Sequence, residues 1–445
     1  MMKQSRFNHI APIGDGGYGL YNFYTGKYVY LSFLTRDYYD HPELYPASHP
    51  QIQKLKEDGF LVDYDELTYL ESMVRLECGR SDIVRFSICP TLSCNFACPY
   101  CYETARSGKM TPQVQEDVIR FAEKLIRINH ARWLHIYWYG GEPLLCPDVI
   151  RSLSGRLISL CEEKGINYSA NIITNGYLLN GETARMFDAC RIRSIQITLD
   201  GPDAEVHNRT RHLRGGGGTF DQILENIRNF PGSSRMDVRC NVQKDNMPGY
   251  TELERKLEKI RQETGKDISV YGARMESHGD CGDRELPLEE FLEFKKKTMK
   301  EITRFCFHGP VCTVPQISDF IVDERGNLFK CLESAGVEED VIGNVRDFDP
   351  RNPATGNMDN LTKCLSAAWP GEDEECMNCP ALPACMGGCP HHRMHQGKQC
   401  RGYKYALDEY VIELGKELLR RDRKRSSGAA DISAESGGPE EETDR

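Results

Sequence analysis

From Ile83 to about Thr303, short apolar runs alternate with longer stretches of helical period. Strands are predicted at Ile83–Ile88, Trp133–Tyr139, Tyr168–Thr174, Ser194–Leu199, Asp237–Val242 and Ile268–Tyr271. Each is followed by a predicted helix: Pro112–Ile128, Pro147–Lys164, Asn180–Cys190, Phe220–Phe230, Tyr250–Glu263 and Pro287–Thr303. Repeated βα units imply an α/β fold with a parallel sheet and right-handed crossovers. In such folds the chemistry gathers at the C-terminal ends of the strands.

The flanks read differently. Residues 1–82 hold two aromatic-rich runs, Tyr18–Tyr24 and Lys27–Ser32, around Thr25-Gly26, which predicts a hairpin. A helix-forming stretch, Gln51–Asp58, ends at Gly59, a fitting C-cap. This predicts a small α+β module. Over 306–403 the alternation stops, and Cys, Gly and Pro accumulate. That segment is expected to have little apolar core and to be held by ligated metal. A last helix is predicted at Tyr405–Arg420, within residues 404–423. The Ser-, Gly- and Glu-rich residues 424–445 are expected to be disordered. The core domain is then 83–305.

Composition narrows the classes. The 445 residues suggest roughly three domains at ~150 residues each. A formal charge of −11 argues against a general nucleic-acid binder. No run approaches the ~20 apolar residues of a membrane span, and no apolar core follows Met1–Arg6 to suggest a secretory signal. A cytoplasmic protein is expected. The 19 Cys stand out. An odd count in a long chain without a signal argues against a disulfide scaffold and for metal ligands.

Three thiols, Cys94, Cys98 and Cys101, follow the first strand, with Tyr100 just before the last. They suit one inorganic centre with a coordination site left open, since a [4Fe–4S] cluster usually takes four Cys. A structural zinc site would need a fourth protein ligand, and only Cys89, inside the preceding strand, lies close. Polar segments end the later strands: Gly140-Gly141-Glu142-Pro143, Thr174-Asn175-Gly176, Gln196-Ile197-Thr198-Leu199-Asp200-Gly201 and Val238-Arg239-Cys240-Asn241-Val242. The run Val206-His207-Asn208-Arg209-Thr210-Arg211 carries arginines that suit a carboxylate or a solvated face. Downstream, Cys312, Gly326 and Cys331 form C-x13-G-x4-C. Cys376, Cys379, Cys385 and Cys389 form C-x2-C-x5-C-x3-C, Cys400 follows, and Cys306 precedes Cys312. Two zinc sites in a ribbon-like domain remain the alternative. Cys161 and Cys190, on predicted helices, read as small core residues. Cys281 lies in a loop and is a candidate thiol nucleophile; His391 and His392 adjoin Cys389.

The Cys94–Cys101 spacing, the Gly-Gly-Glu-Pro motif and the later strand ends resemble the radical S-adenosylmethionine (radical SAM) superfamily. The C-terminal spacings resemble its SPASM extension. The resemblance implies a partial (β/α)6 TIM-like barrel with a cysteine-rich extension. Cys94, Cys98 and Cys101 would hold a [4Fe–4S] cluster whose open iron chelates SAM. Tyr100, Gly140, Gly141, Glu142, Pro143, Asn175, Gln196, Asp200, Arg239 and Asn241 would line the SAM site, with Glu142 receiving the SAM ammonium. Cys306, Cys312, Cys331 and Cys389 would hold an inner auxiliary cluster, and Cys376, Cys379, Cys385 and Cys400 an outer one, making three [4Fe–4S] clusters. Members mostly modify peptides or proteins. A formylglycine-forming sulfatase maturase carries an Asp directly after the inner-cluster Cys; here Leu332, Glu333 and Ser334 follow Cys331. The reading that follows is a maturase of a ribosomally made precursor peptide (leader plus core) that forms a thioether, C–C or C–O cross-link. The alternative is a formylglycine-generating or other protein-maturating enzyme. A flavodoxin- or ferredoxin-type electron donor is expected, with residues 1–82 gripping the leader, and with neither nucleic acid nor membrane as a partner.

Overall fold

The computed structural model describes residues 2–14, 16–276, 284–298, 304–309, 312–400 and 402–426. Two compact units emerge. One comprises Met1–Cys78, Met299–Pro315 and Ser366–Arg445, the other Gly79–Thr298 and Gln316–Leu365.

The second unit contains the βα repeat. Its elements are β1 (Ile83–Ile88), α1 (Pro112–Asn129), β2 (Trp133–Trp138), α2 (Pro147–Lys164), β3 (Asn167–Thr174), α3 (Gly181–Ala189), β4 (Ile192–Thr198), α4 (Phe220–Asn229), β5 (Arg235–Val242), α5 (Tyr250–Thr264), β6 (Ile268–Arg274) and α6 (Leu288–Thr298). The six strands pair in parallel, each with its neighbour in sequence. Along β3 the alternate residues Tyr168, Ala170, Ile172 and Thr174 are buried, the period of a strand with one face under helices. In α1, Val114, Val118, Phe121 and Leu125 recur at helical spacing and face the core. There Phe121 stacks on Phe86 of β1 at 5.6 Å between ring centroids. Thr111 caps α1 by accepting from the Val114 amide at 3.3 Å, and Pro112 sits where a missing N–H costs nothing. The end of the helix expected to reach Thr303 lies outside the described residues.

The sheet does not end at β1. Strand β7 (Asp319–Val322) pairs in parallel with it, placing Phe320 against Phe86 and Val322 against Ile88. Two short antiparallel strands, β8 (Asn327–Phe329) and β9 (Gly343–Asn344), complete nine. Gly326 makes the β7–β8 turn with φ of +83°, so the G-x4-C spacing sets a left-handed turn residue just before a strand that leads to Cys331. The expectation of little apolar core fails for this part of the Cys-rich segment. Ile321, Val322, Leu328, Phe329, Ile342, Val345 and Phe348 are all buried. Their runs are too short to show a period in sequence.

The first unit holds a three-stranded antiparallel sheet of Asn8–Pro12, Tyr18–Asn22 and Tyr28–Leu31. The last two are the expected hairpin. Helices Phe33–Asp40, Pro50–Glu57 and Glu66–Cys78 follow. The C-terminal helix spans Leu407–Ser426, three residues into the stretch expected to be disordered. Its Val411 and Leu414 pack with Ala11, Tyr21 and Phe23. Residues 427–445 lie outside the described residues.

Candidate active site

The triad rides on the loop between β1 and α1. Neighbouring segments hold this loop at several points. Phe96 bridges Leu213, the Ala97 amide donates to the His212 carbonyl at 3.0 Å, and the Arg214 amide donates to the Asn95 carbonyl at 2.8 Å. The loop's far end is anchored by Arg106, which donates to Glu324 at 2.7 Å and to Asp323 at 2.8 Å, just past β7. Both carboxylates are buried, so the pair forms a charge-assisted clamp.

The thiols are poorly disposed to ionise alone. Burial raises Cys98 and pushes Cys94 up to about 12 and Cys101 to about 11. A bound metal would have to supply the positive charge that makes them thiolates. Cys89 is not a fourth member. It is fully buried with Leu92, Tyr139, Ile321 and Phe329.

The Gly-Gly-Glu-Pro segment ends β2. A Cβ at Gly140 would meet the Thr91 carbonyl oxygen at 2.4 Å, and one at Gly141 would meet that of Ser93 at 2.4 Å. The glycines therefore admit the backbone of the triad loop itself. The Glu142 amide donates to the Ser93 carbonyl at 2.9 Å, locking the two segments together. The Glu142 side chain is fully buried. It accepts from Thr174 Oγ1 at 2.8 Å and from the Asn175 and Leu144 amides at 2.7 and 2.9 Å. Its carboxylate thus joins the ends of β2 and β3, and three donors already occupy the group expected to face an ammonium. Pro143 opens a short 3-10 turn. Asn175 reaches back to the triad loop, its Nδ2 donating to Asn95 Oδ1 at 2.8 Å.

Behind the triad lies a buried polar knot. Tyr100 donates to Asp200 Oδ2, while the Asn241 amide donates to Asp200 Oδ1 at 2.8 Å. The Tyr100 hydroxyl accepts from Arg211 Nη1 at 2.8 Å and from Asn241 Nδ2 at 3.2 Å. Arg239 Nε donates to Asn241 Oδ1 at 2.9 Å. Burial raises the Asp200 carboxyl, opposed by the Arg211 charge. Tyr100, Asp200, Arg239 and Asn241 are thus brought together. Gln196 stands apart, half-buried along β4, accepting from Tyr271 at 2.9 Å.

Arg211 is the residue the site most depends on beyond that set. The sequence left it between a carboxylate ligand and a solvated face. The structure buries it, with Nε lacking any hydrogen-bond partner. His207 ties the segment down on both sides, its Nδ1 accepting from the Asp200 amide at 3.0 Å and its carbonyl from the Arg211 amide at 3.0 Å, and no spacing in the sequence signals this.

On the other side of the triad, Tyr102 and Tyr139 share a hydroxyl–hydroxyl bond. The segment after β8 packs here too: Leu332 and Ala335 join the apolar cluster of Cys89, Leu92 and Phe329. A Cβ at Gly336 would lie 2.6 Å from Leu92 Cδ1. Cys331 opens this segment and belongs to the second unit. Cys306, Cys312 and Cys389 belong to the first.

Within the first unit, Cys376, Cys379, Cys385 and Cys400 line a single pocket, with Glu375, Lys398 and Lys404 at its rim. Asp373 caps the helix Glu374–Met377, accepting from the Cys376 amide at 2.9 Å. Cys161 and Cys190 lie in the main core, as expected. His391 and His392 are buried on the helix Pro390–His395. Cys281 lies outside the described residues.

The βα sheet, with its thiol loop at the C-terminal end of the first strand, defines the class. Residues 88–268 match the Radical SAM superfamily, and the chain carries a radical SAM domain over that span. Among curated proteins it is similar to a GTP 3′,8-cyclase of Synechococcus sp. (strain CC9902), 32% identical over 146 residues, 33% of this chain and 39% of that protein. It is also similar to the mycofactocin maturase MftC of Mycobacterium ulcerans (strain Agy99), 26% identical over 155 residues, 34% of this chain and 37% of that protein. The chain thus spans about two fifths of the length of these relatives. Among solved structures, anSMEcpe with bound AdoMet and Kp18Cys peptide has the same fold. Its TM-score is 0.61 at 17% identity, covering 77% of this chain and 99% of that one. No helix among the described residues is long and apolar enough to cross a membrane.

Proposed function

We propose that the protein is a radical SAM enzyme that matures a ribosomally made peptide by forming a cross-link. The observation that carries this is the thiol loop of Cys94, Cys98 and Cys101, clasped to the strand ends of a radical SAM domain and backed by the orphaned Arg211 Nε. Three thiols leave one iron of a [4Fe–4S] cluster open, and a buried guanidinium with its Nε–H unpaired suits a carboxylate. When bound, the cluster and SAM supply a 5′-deoxyadenosyl radical, the hydrogen-abstracting agent. Cys94, Cys98 and Cys101 would hold the cluster. Arg211 would take the SAM carboxylate, and Asn175 and Asn241 would present amides at the strand ends. Glu142, Asp200 and Tyr100 would keep those groups in place.

The four-thiol pocket suits a fully ligated [4Fe–4S] cluster, its donor set being four sulfurs around one cavity. The spacing of Cys306, Cys312, Cys331 and Cys389 supplies a second full set. Peptide rather than small-molecule chemistry is favoured by the fold shared with anSMEcpe, solved with a bound peptide, and by the first unit. There Tyr28–Leu31 is an edge strand, with Tyr30, Phe33 and Leu34 exposed beside it. An edge strand can take up an extended peptide by strand addition. A flavodoxin- or ferredoxin-type protein would supply the electron.

Anaerobic purification is expected to give about twelve iron and twelve sulfide per chain, three clusters of four. Cys98→Ala is expected to abolish 5′-deoxyadenosine formation under dithionite while about eight irons remain. A zinc-loaded, colourless protein, or full activity of the variant, overturns the reading.

A further inference from the structure

The pocket of Cys376, Cys379, Cys385 and Cys400 has a charged rim that nothing in the site chemistry has yet used. Lys404 lies with its Nζ 3.5 Å from Cys400 Sγ, and the same ammonium donates to Glu375 Oε1. The other Glu375 oxygen accepts from Lys398 at 2.6 Å, and Lys398 also donates to Asp373 at 2.7 Å. Lys398, Glu375 and Lys404 all line the pocket. Two ammonium groups and two carboxylates therefore form a chain that balances in charge and meets the thiol set at both ends, with Lys404 at Cys400 and Asp373 at Cys376.

We infer that Lys404 is a tuning residue for the outer cluster, donating an N–H···S hydrogen bond to the Cys400 thiolate, with Glu375 setting how much of its charge the cluster feels. The inference rests on the reading of this pocket as a cluster site. A reduced [4Fe–4S] cluster carries one more negative charge than its oxidised form. A nearby cation and a hydrogen bond to a ligating sulfur both favour the reduced form and raise the potential. The effect is strong only where the donor is close and partly shielded. Lys404 is half-buried, its ammonium within reach of the sulfur. Glu375 opposes it. Its carboxylate keeps the ammonium aimed, but also cancels part of the field.

The two residues therefore push the potential in opposite directions, a sign pattern that loss of local packing would not produce. The test is an EPR-monitored redox titration of the full-length, anaerobically purified protein. Lys404→Met is expected to lower the midpoint of the outer-cluster signal. Lys404→Arg, which keeps charge and donor, is expected to leave it near the parent value. Glu375→Gln is expected to raise it. Lys416→Met, which removes an exposed lysine bonded to Glu413 on the C-terminal helix, is expected to leave it unmoved. If Lys404→Met fails to retain the cluster, the Glu375→Gln and Lys404→Arg arms decide. A parent protein with no third cluster signal and about eight irons overturns the cluster reading, and the tuning role with it. A parent with the signal, but with midpoints unchanged or moved the same way in both variants, overturns the tuning role alone.

Discussion

At the scale of single residues, Arg211 decides more than any thiol outside the triad. It is the cation of a knot in which Asp200 is fully buried and Tyr100 and Asn241 have their hydrogen bonds to each other and to Asp200. Removing it takes from the buried Asp200 carboxylate the larger of two favourable positive charges, Arg239 supplying the other; breaking a buried pair typically costs about 3–5 kcal/mol. Arg211→Met is expected to lose that much stability in urea denaturation, together with 5′-deoxyadenosine formation. Adding Asp200→Asn is expected to recover much of the stability and none of the chemistry. The contrast separates the two tasks of one guanidinium. On this expectation stability belongs to the pair, and the proposed ligand capture to the arginine.

At the scale of elements, the strands carry their own pH signature. His135 on β2 is buried, accepts from Asn171 Nδ2 at 3.2 Å, and pairs with Ser169 through its other nitrogen. Burial, with the Arg85 charge nearby, holds its pKa down to about 4, against 6.5 for a free imidazole. The folded state keeps the ring neutral, so its contribution is fully present above pH 6.5 and is lost as pH falls through 4. The shift corresponds to roughly 3 kcal/mol. His135→Gln is expected to flatten the fall in stability between those pH values, measured by urea denaturation at each. The elements themselves were largely legible. All six βα units appear where hydrophobic period and capping residues put them, because each strand buries one face under a helix that buries one stripe. What was not legible was β7 to β9. These strands are two to four residues long, too short for alternation to declare itself, and they join the sheet in series, β7 on β1, β8 on β7 and β9 on β8. The site divides the same way. Cys94, Cys98, Cys101 and the strand-end polar groups stand out by residue type and spacing. The inward turn of Arg211 depends on a backbone hydrogen bond to His207 that spacing alone does not reveal. Gly140 and Gly141 stand out as residues of the expected SAM site, yet what approaches them is the backbone of the triad loop.

At the scale of the whole molecule, the thiol sets differ in how they are built. The triad sits on a loop fixed by a large sheet, whereas the pocket of Cys376, Cys379, Cys385 and Cys400 lies among short helices and loops. Metal is expected to matter more to the fold of the second. Cys376→Ala is expected to remove about four irons and to lower the melting temperature of the metal-loaded protein. SAM cleavage at the triad should persist, with the three effects read by iron assay, calorimetry and deoxyadenosine yield.

One detail of the second unit bears on how such a molecule keeps time. The segment opened by Cys331 is not a tether. Leu332, Ala335 and Gly336 are wedged against Cys89 and Leu92, the root of the triad loop, and the hairpin before them is stitched into the sheet. A rigid mount of this kind works as a ruler. Any redox centre that takes Cys331 as a ligand inherits a set distance from the triad. Electron hopping between them would then run at a rate written into the masonry of the sheet, whatever the substrate does at the mouth.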